Sequence, residues 1–342
     1  MALGQSFGFS TLIRVIDIHN LKTHEKKSNC SLCEKKALIF RKHSGQFLCA
    51  DCFQTSIEKI IAKTISKYNM LKPSDKIIVG FSGGKDSITL LYNLIKIQKG
   101  VHGSNPIIAL TIDEGIKGYR ENSIEIAKKF CEKYDIEHKI LSFKERFGLT
   151  LDEIIRIKKQ EPDYKYACNY CATIRRRILN DGARELGGNI LAMGHNLTDV
   201  AETFLMNILY KRLKLIGSQY ILKDESKDLR TYYIRKISPL FKLPEEEILI
   251  YVNTKKFDFY SPHCPYRDVD PIIRRRVLEF IQSCKQYSAE IEFNLLNGFL
   301  ELSEIVYRHY RKEKYNKCDI CGYPTGIAKI CTYCTLKKEL NV

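Results

Sequence analysis

Residues 76–87 read KIIVGFSGGKDS. Five of the first six are apolar or glycine and three are β-branched, the composition of a strand buried on both faces. The chain then breaks at Ser82-Gly83-Gly84-Lys85-Asp86-Ser87, after which Ile88, Leu90, Leu91, Leu94 and Ile95 recur at helical spacing. Strand, glycine loop and helix together make a phosphate cradle. The glycines let the backbone approach a bound group, the free N–H groups of the new helix suit an anion, Lys85 adds a positive charge, and Ser82 and Ser87 add hydroxyls. The common nucleotide P-loop is excluded, because its first glycine and the hydroxyl residue after its lysine are replaced here by Val79 and Asp86.

Outward from this stretch the chain keeps alternating. A second buried run, 107–112, ends at Asp113 and Glu114. In an open parallel sheet, residues just past strand carboxyl ends line the ligand crevice, so Asp113 is a candidate for a metal or phosphate role; the other reading is a solvated strand-end acid. Further signals predict helices over 120–134 and 151–158, a strand over 137–143, a helix from after Cys168-Asn169-Tyr170-Cys171 to about 186, and a strand over 189–193. Gly194-His195-Asn196 opens a helix through 209, and 211–230 reads as a polar surface loop. A strand over 232–237 and helices over 244–252, 272–284 and 290–310 follow. This alternation predicts an α/β fold, a doubly wound parallel sheet with helices on both faces. In SPHCPYR, 261–267, two prolines hold Cys264 on a constrained loop outside any element.

The 342 residues are 44% hydrophobic and 28% charged, ordinary globular composition. The formal charge of +16 favours a polyanionic partner. Nucleic acid fits better than a membrane: no apolar run approaches the roughly 18 residues of a spanning helix, no secretory pattern opens the chain, and Ala2 stands where myristoylation needs glycine. A cytoplasmic location follows. Thirteen cysteines without a secretory signal point to metal or catalysis rather than disulfides. Cys30, Cys33, Cys49 and Cys52 form two C-x2-C pairs 15 residues apart, and Cys318, Cys321, Cys331 and Cys334 two pairs 9 residues apart, each set suited to one tetrahedral zinc. Cys168 and Cys171 form the remaining pair, while Cys131 and Cys284 fall on predicted helices and read as packing residues. The expected organisation is an extension over 1–25, zinc modules over 26–54 and 315–342, a linker helix over 55–70, a core domain over 71–285 and a helix over 286–314.

SGGKDS resembles the signature of the PP-loop ATP pyrophosphatases, which cleave ATP between its α- and β-phosphates and adenylate a substrate. With zinc modules at both ends, CNYC, GHN and SPHCPYR, the whole chain resembles the tRNA 2-thiouridine synthetases. TIDEGIKGYR at 111–120 and FGLTLDE at 147–153 are similar to the branch acting on wobble uridine 34; the uridine-54 branch is less close. The cytidine-32 thiolases lack zinc modules at both ends.

The resemblance implies that Cys168, Cys171 and Cys264 hold a [4Fe-4S] cluster by three thiolates, with one iron open for sulfide. The cysteines themselves also admit a redox disulfide relaying persulfide sulfur, or a structural role. It further implies ATP and Mg2+, with Ser82, Gly83, Gly84, Lys85, Asp86 and Ser87 around the pyrophosphate. Gly194 and Asp199 match the GHNxxD contacts near the nucleotide, Asp113 the strand-end acid, and Arg175 a basic position four after the second cysteine. Two departures stand out: Thr198 replaces a second acid, and His263 precedes Cys264 where an acid is usual. The implied partners are tRNA, a sulfur donor (a thiocarboxylated ubiquitin-like protein, a persulfide or sulfide) and a second copy in a homodimer. Basic stretches at 175–177, 211–214, 274–276 and 308–314 are the candidate tRNA contacts. The rival readings are a uridine-54 thiolase and a zinc-ribbon RNA-binding scaffold whose nucleotide site is inactive.

Overall fold

A computed structural model describes residues 29–221, 227–269, 273–310 and 315–342. The expected extension at 1–25, the first residues of the N-terminal module and positions 311–314 of the last basic stretch lie outside the described residues. The chain divides into two units, one ending at Cys52 and one spanning Phe53–Val342.

In the first unit, β1 (Ile39–Arg41) and β2 (Gln46–Leu48) pair antiparallel, with Ile39 opposite Leu48. Gly45 turns the hairpin at φ 64°, and Phe40 stacks on Phe47 at 4.6 Å. The helix α1 (Ala50–Lys67) carries the unit's last cysteine, Cys52, in its first turn. From Phe53 on, α1 belongs to the second unit and buries Phe53, Ile57, Ile61 and Ile65, a stripe at four-residue spacing with lysines between.

In the second unit, β3 (Ile77–Gly80), α2 (Lys85–Gln98), β4 (Ile108–Asp113), α3 (Arg120–Tyr134) and β5 (Glu137–Ser142) build one side of a sheet. Then α4 (Phe143–Phe147), α5 (Leu151–Lys158) and α6 (Ala167–Glu185) lead to β6 (Ile190–Ala192); α7 (Leu197–Leu209), α8 (Leu213–Ser218) and α9 (Lys227–Arg230) lead to β7 (Arg235–Ile237). The five strands are parallel in the order β5-β4-β3-β6-β7, with Ile78 paired to both Ile108 and Leu191. The path runs outward through β4 to β5, then returns to β6 on the other side of β3. By the right-handed crossover rule, this reversal sets α2 and α3 on one face and α6 on the other, the doubly wound arrangement, while α7 packs on α12 and α13. Central β3 is covered on both faces, which is why Ile78 and Val79 are fully buried and its sequence is apolar without alternation. On the α6 face the approach is close: a Cβ on Gly182 would lie 2.4 Å from Leu141 Cδ1.

The remaining elements are α10 (Glu245–Thr254), which packs on α2, then α11 (Pro265–Val269), α12 (Ile273–Lys285), α13 (Ile291–Tyr310), the pair β8 (Asn316–Lys317) and β9 (Pro324–Thr325), and α14 (Thr332–Glu339). Leu336 and Leu340 enter the same buried cluster as Ile174, Ile178, Phe143 and Phe147. Among the described residues no helix is long and apolar enough to cross a membrane.

Three expectations need correction. The stretch 211–230 is not simply a surface loop: 213–218 form α8, which packs on α13 and buries Ile216 and Gly217. Two buried residues beside exposed Leu213 and Leu215 are too few to show a periodicity. The CNYC pair lies inside the first turn of α6 and not ahead of it. The helix α4 was missed; Ser142 starts it through a capping box with Glu145, a signal hidden because the strand runs straight into the cap.

At Gly217 a Cβ would lie 2.9 Å from both the Tyr307 amide nitrogen and Val306 Cγ1. Gly217→Val is expected to lower the unfolding free energy by about 2 kcal/mol through overpacking of α8 on α13, measured by urea unfolding.

Candidate active site

The strand β3 delivers the SGGKDS loop to the sheet's carboxyl edge, where α2 begins at Lys85. Gly84 is its N-cap and supplies no side chain, so the first amides of α2 remain for an anion. Two serines brace the loop: Ser87 Oγ donates to the Gly84 carbonyl at 2.9 Å and accepts from the Ser82 amide at 3.2 Å. Gly83 sits at φ 78°, and a Cβ there would be 2.3 Å from the Ser123 carbonyl, so only glycine fits. Gly194, after β6, packs on the first turn of α2; its Cβ would be 3.2 Å from the Asp86 carbonyl carbon.

Charges converge around this loop. Lys85 Nζ contacts Asp86 Oδ2 at 2.9 Å and Glu245 Oε1, at the start of α10, at 2.7 Å. Burial works against its charge, yet Asp86 and Glu245 together hold the ammonium above its usual range. Burial raises the Asp86 carboxyl above its usual range, opposed by Lys85 and by Asn196 Nδ2, which donates to it at 2.9 Å. Asp199 closes the capping box of α7 with Asn196 and accepts from Arg274 Nη2 at 2.8 Å. Asp113 Oδ1, at the end of β4, accepts from the Gly115 amide at 2.8 Å. Thr198 donates to Glu292 at 2.8 Å and accepts from the Glu245 amide at 3.2 Å. A second acid at that position would meet the buried Glu292 carboxylate.

A cysteine centre lies at the N-terminus of α6. Cys168 and Cys171 occupy its first turn, and Arg175 stands one turn further on the same face. Cys264 arrives from a distant segment. The Tyr260 amide donates to the Gly83 carbonyl at 2.8 Å, the chain continues to Cys264, and α11 then packs on α6. Tyr266 anchors α11 by donating to Asp152 at 2.6 Å. Burial pushes the Cys171 thiol up to about 12, with Arg175 opposing and Glu114, Cys264 and Cys168 reinforcing. Burial also raises Cys264, which faces the same Glu114 and Arg175. The three cysteines thus share one electrostatic neighbourhood. Among the described residues, only the two terminal sets bring their ligand atoms within 4.8 Å of one another; this trio does not.

Glu114 is the residue that sequence reasoning passed over. It is 5% exposed, pairs with Arg120 Nε at 2.7 Å and Arg175 Nη1 at 3.4 Å, and stands beside Cys171 and Cys264. Its position next to Asp113 at a strand end was the available signal. Glu245 and Asn196 carried none, because their roles depend on contacts with residues more than a hundred positions away. Tyr119 and Tyr260, edge to face at 5.4 Å, lie between the glycine loop and Cys264.

The terminal cysteines form two compact sets that fit zinc modules. Cys33 Sγ is 3.7 Å from Cys49 and 3.6 Å from Cys52; Cys321 Sγ is 3.7 Å from Cys331. Amides of Cys52, Cys331 and Cys334 donate to sulfurs within their own sets. Against the effect of burial, backbone N–H groups bring Cys30 and Cys318 down to about 6. Cys131 is buried in packing, as expected.

Several basic candidates are already engaged. Arg274 pairs with Asp199 and Glu202, Arg275 and Arg276 share Glu279, Arg177 pairs with Asp181, and Arg308 pairs with Glu304. Arg212 stacks over Tyr210 at 4.5 Å and Lys214 over Tyr310 at 5.0 Å. Because Glu114→Ala leaves Arg120 charged and buried, it is expected to lower the unfolding free energy by about 3 kcal/mol, and Glu114→Gln by less; urea titration compares the two.

The PP-loop domain model matches residues 51–278, and the model for the N-terminal LIM domain of the 2-thiouridine synthetase TtuA matches 29–54. The chain is 32% identical over 315 residues to a probable sulfurtransferase of Methanocaldococcus jannaschii, covering 91% of this chain and 89% of the relative. It is 31% identical to the tRNA 2-thiolation protein NcsA of Haloferax volcanii, covering 91% and 99%, and 33% identical to the cytoplasmic tRNA 2-thiolation protein 1 of Laccaria bicolor, covering 91% and 85%. A solved structure titled U34-tRNA thiolase NcsA from Methanococcus maripaludis with its [4Fe-4S] cluster superposes with a TM-score of 0.75 at 32% identity, covering 92% of this chain and 97% of that one. The chain belongs to the PP-loop family, in the group that contains the tRNA 2-thiolation proteins.

Proposed function

We propose that the protein is an ATP-dependent tRNA 2-thiolase acting at wobble uridine 34. The observation that carries this reading is the tie between the Tyr260 amide and the Gly83 carbonyl, which puts Cys264 and the Cys168–Cys171 helix at the edge of the phosphate loop. An adenylating loop and a three-cysteine centre that share one crevice suit activation followed by sulfur insertion. The U34-tRNA thiolase structure, similar over 92% of this chain, supports the choice of target and cofactor.

In this reading the first amides of α2 and Lys85 receive the β- and γ-phosphates of ATP, and Glu245 and Asp86 yield the lysine as the anion arrives. Asp113 offers a carboxylate for Mg2+, and Gly194 and Asp199 border the nucleotide. Uridine O2 attacks the α-phosphate and pyrophosphate leaves. Sulfide then displaces AMP from C2, so no net electron transfer is needed when sulfide is the donor. Arg175, held by Glu114, presents its charge where the phosphate departs. Cys168, Cys171 and Cys264 would hold the [4Fe-4S] cluster, which supplies an open iron as a soft site for sulfide. Two zinc ions would complete the terminal modules at 26–54 and 315–342, flanking the linker helix at 55–70, the core at 71–285 and the helix at 286–314. The protein would work in the cytoplasm as a homodimer, with sulfur from sulfide, a persulfide or a thiocarboxylated ubiquitin-like protein.

The test is to purify the protein without oxygen, assay iron, zinc and sulfide, and supply ATP, Mg2+, sulfide and unmodified tRNA. AMP and pyrophosphate release and nucleoside mapping by mass spectrometry are the readouts. The expected product is 2-thiouridine at position 34; modification at 54 reassigns the target, and absence of AMP release favours the scaffold reading. Lys85→Ala is expected to slow AMP release on the order of a hundredfold. Cys264→Ala is expected to lose both iron and 2-thiouridine, and full thiolation by iron-free protein would refute the cluster.

A further inference from the structure

The helix α6 has two working halves. Its first half carries Cys168, Cys171 and Arg175, and its second half faces the C-terminal four-cysteine set. Arg177 stands between them, its side chain 17% exposed. Its Nη1 donates to Cys321 Sγ at 3.5 Å and its Nε to Asp181 Oδ2 at 2.6 Å. The guanidinium lies 3.4 Å from the centre of the Tyr323 ring and 5.1 Å from that of Tyr333. The Tyr323 hydroxyl donates to Asp181 Oδ1 and accepts from Asn180 Nδ2. Each partner of the guanidinium is therefore either on α6 or within the C-terminal cysteine module, since Tyr323 follows Cys321 by two residues and Tyr333 lies between Cys331 and Cys334.

We propose that Arg177 is a positioning residue that couples metal binding at the C-terminal set to the order of the helix carrying Cys168, Cys171 and Arg175. A donor to a metal-bound thiolate stabilises that ligand, and a charge-assisted bond to sulfur is stronger than a neutral one. Knuckles this short depend on their metal for folding energy. When the metal leaves, Tyr323 and Tyr333 lose their places, Arg177 loses its stack and its sulfur acceptor, and Asp181 loses the tyrosine hydroxyl. The loss falls on α6 about two to three turns past Cys171. Lysine cannot replace this arrangement, because a single ammonium cannot lie flat on a ring while donating to sulfur and carboxylate in fixed directions. The proposal rests on zinc at the C-terminal set and is independent of the RNA reaction.

The test uses full-length protein with its metals. Zinc release into a metallochromic chelator is timed for wild type, Arg177→Lys and Arg177→Ala; thiol alkylation identifies the set that opens, and hydrogen exchange follows the amides of α6. The C-terminal zinc is expected to leave roughly tenfold faster or more in both variants, while N-terminal release stays unchanged. In wild type, amides of 168–185 are expected to lose protection as the C-terminal zinc is withdrawn, and in Arg177→Ala before withdrawal. Equal release rates in all three proteins overturn the proposal. So does unchanged α6 protection after the wild type has lost that zinc, a measurement that needs no variant to fold; absence of zinc from the C-terminal set overturns it as well.

Discussion

A hydrogen bond of 2.8 Å from the Tyr260 amide to the Gly83 carbonyl joins two segments that are 177 residues apart in sequence. Gly83 can take part because its φ of 78° turns the loop against α3, where no side chain would fit. The chain beyond Tyr260 then has only three residues before Cys264, and α11 closes on α6. The glycine loop and the segment carrying Cys264 are thereby confined to one edge of the sheet. The topology makes this possible, since β3 lies where the strand order reverses and the ends of β3, β4 and β6 open side by side.

The charge pattern follows from the same confinement. The net charge is strongly positive, yet the arginines and lysines nearest the site are paired: Lys85 with Asp86 and Glu245, Arg175 and Arg120 with Glu114, Arg274 with Asp199 and Glu202. Pairing offsets the cost of desolvating these charges. Thr198 fits this pattern, bridging Glu292 and α10 where another carboxylate would repel.

Much of the fold and part of the candidate site were legible in the sequence. The apolar run KIIVGF, the glycine loop and the helix spacing behind it read as a buried parallel strand feeding a helix, which are β3 and α2. The two terminal four-cysteine sets were legible because ligand spacing within a knuckle is local. Glu245 was not, nor were the contacts of Glu114 with Arg175 and of Asn196 with Asp86, because in each case the partner lies far along the chain. The same holds for α8, whose burial is created by α13.

What the sequence determined by itself was therefore whatever rests on neighbours within a few residues: element type, glycine conformation, metal knuckles, and a core with helices on both faces. Only the tertiary structure decided which charges meet, that Glu114 and Arg175 stand beside Cys171 and Cys264, and that Arg177 reaches Cys321. Periodicity and propensity record local geometry, whereas these contacts depend on the return of the chain across the sheet at β6 and on the closure of α11 and the C-terminal module over α6.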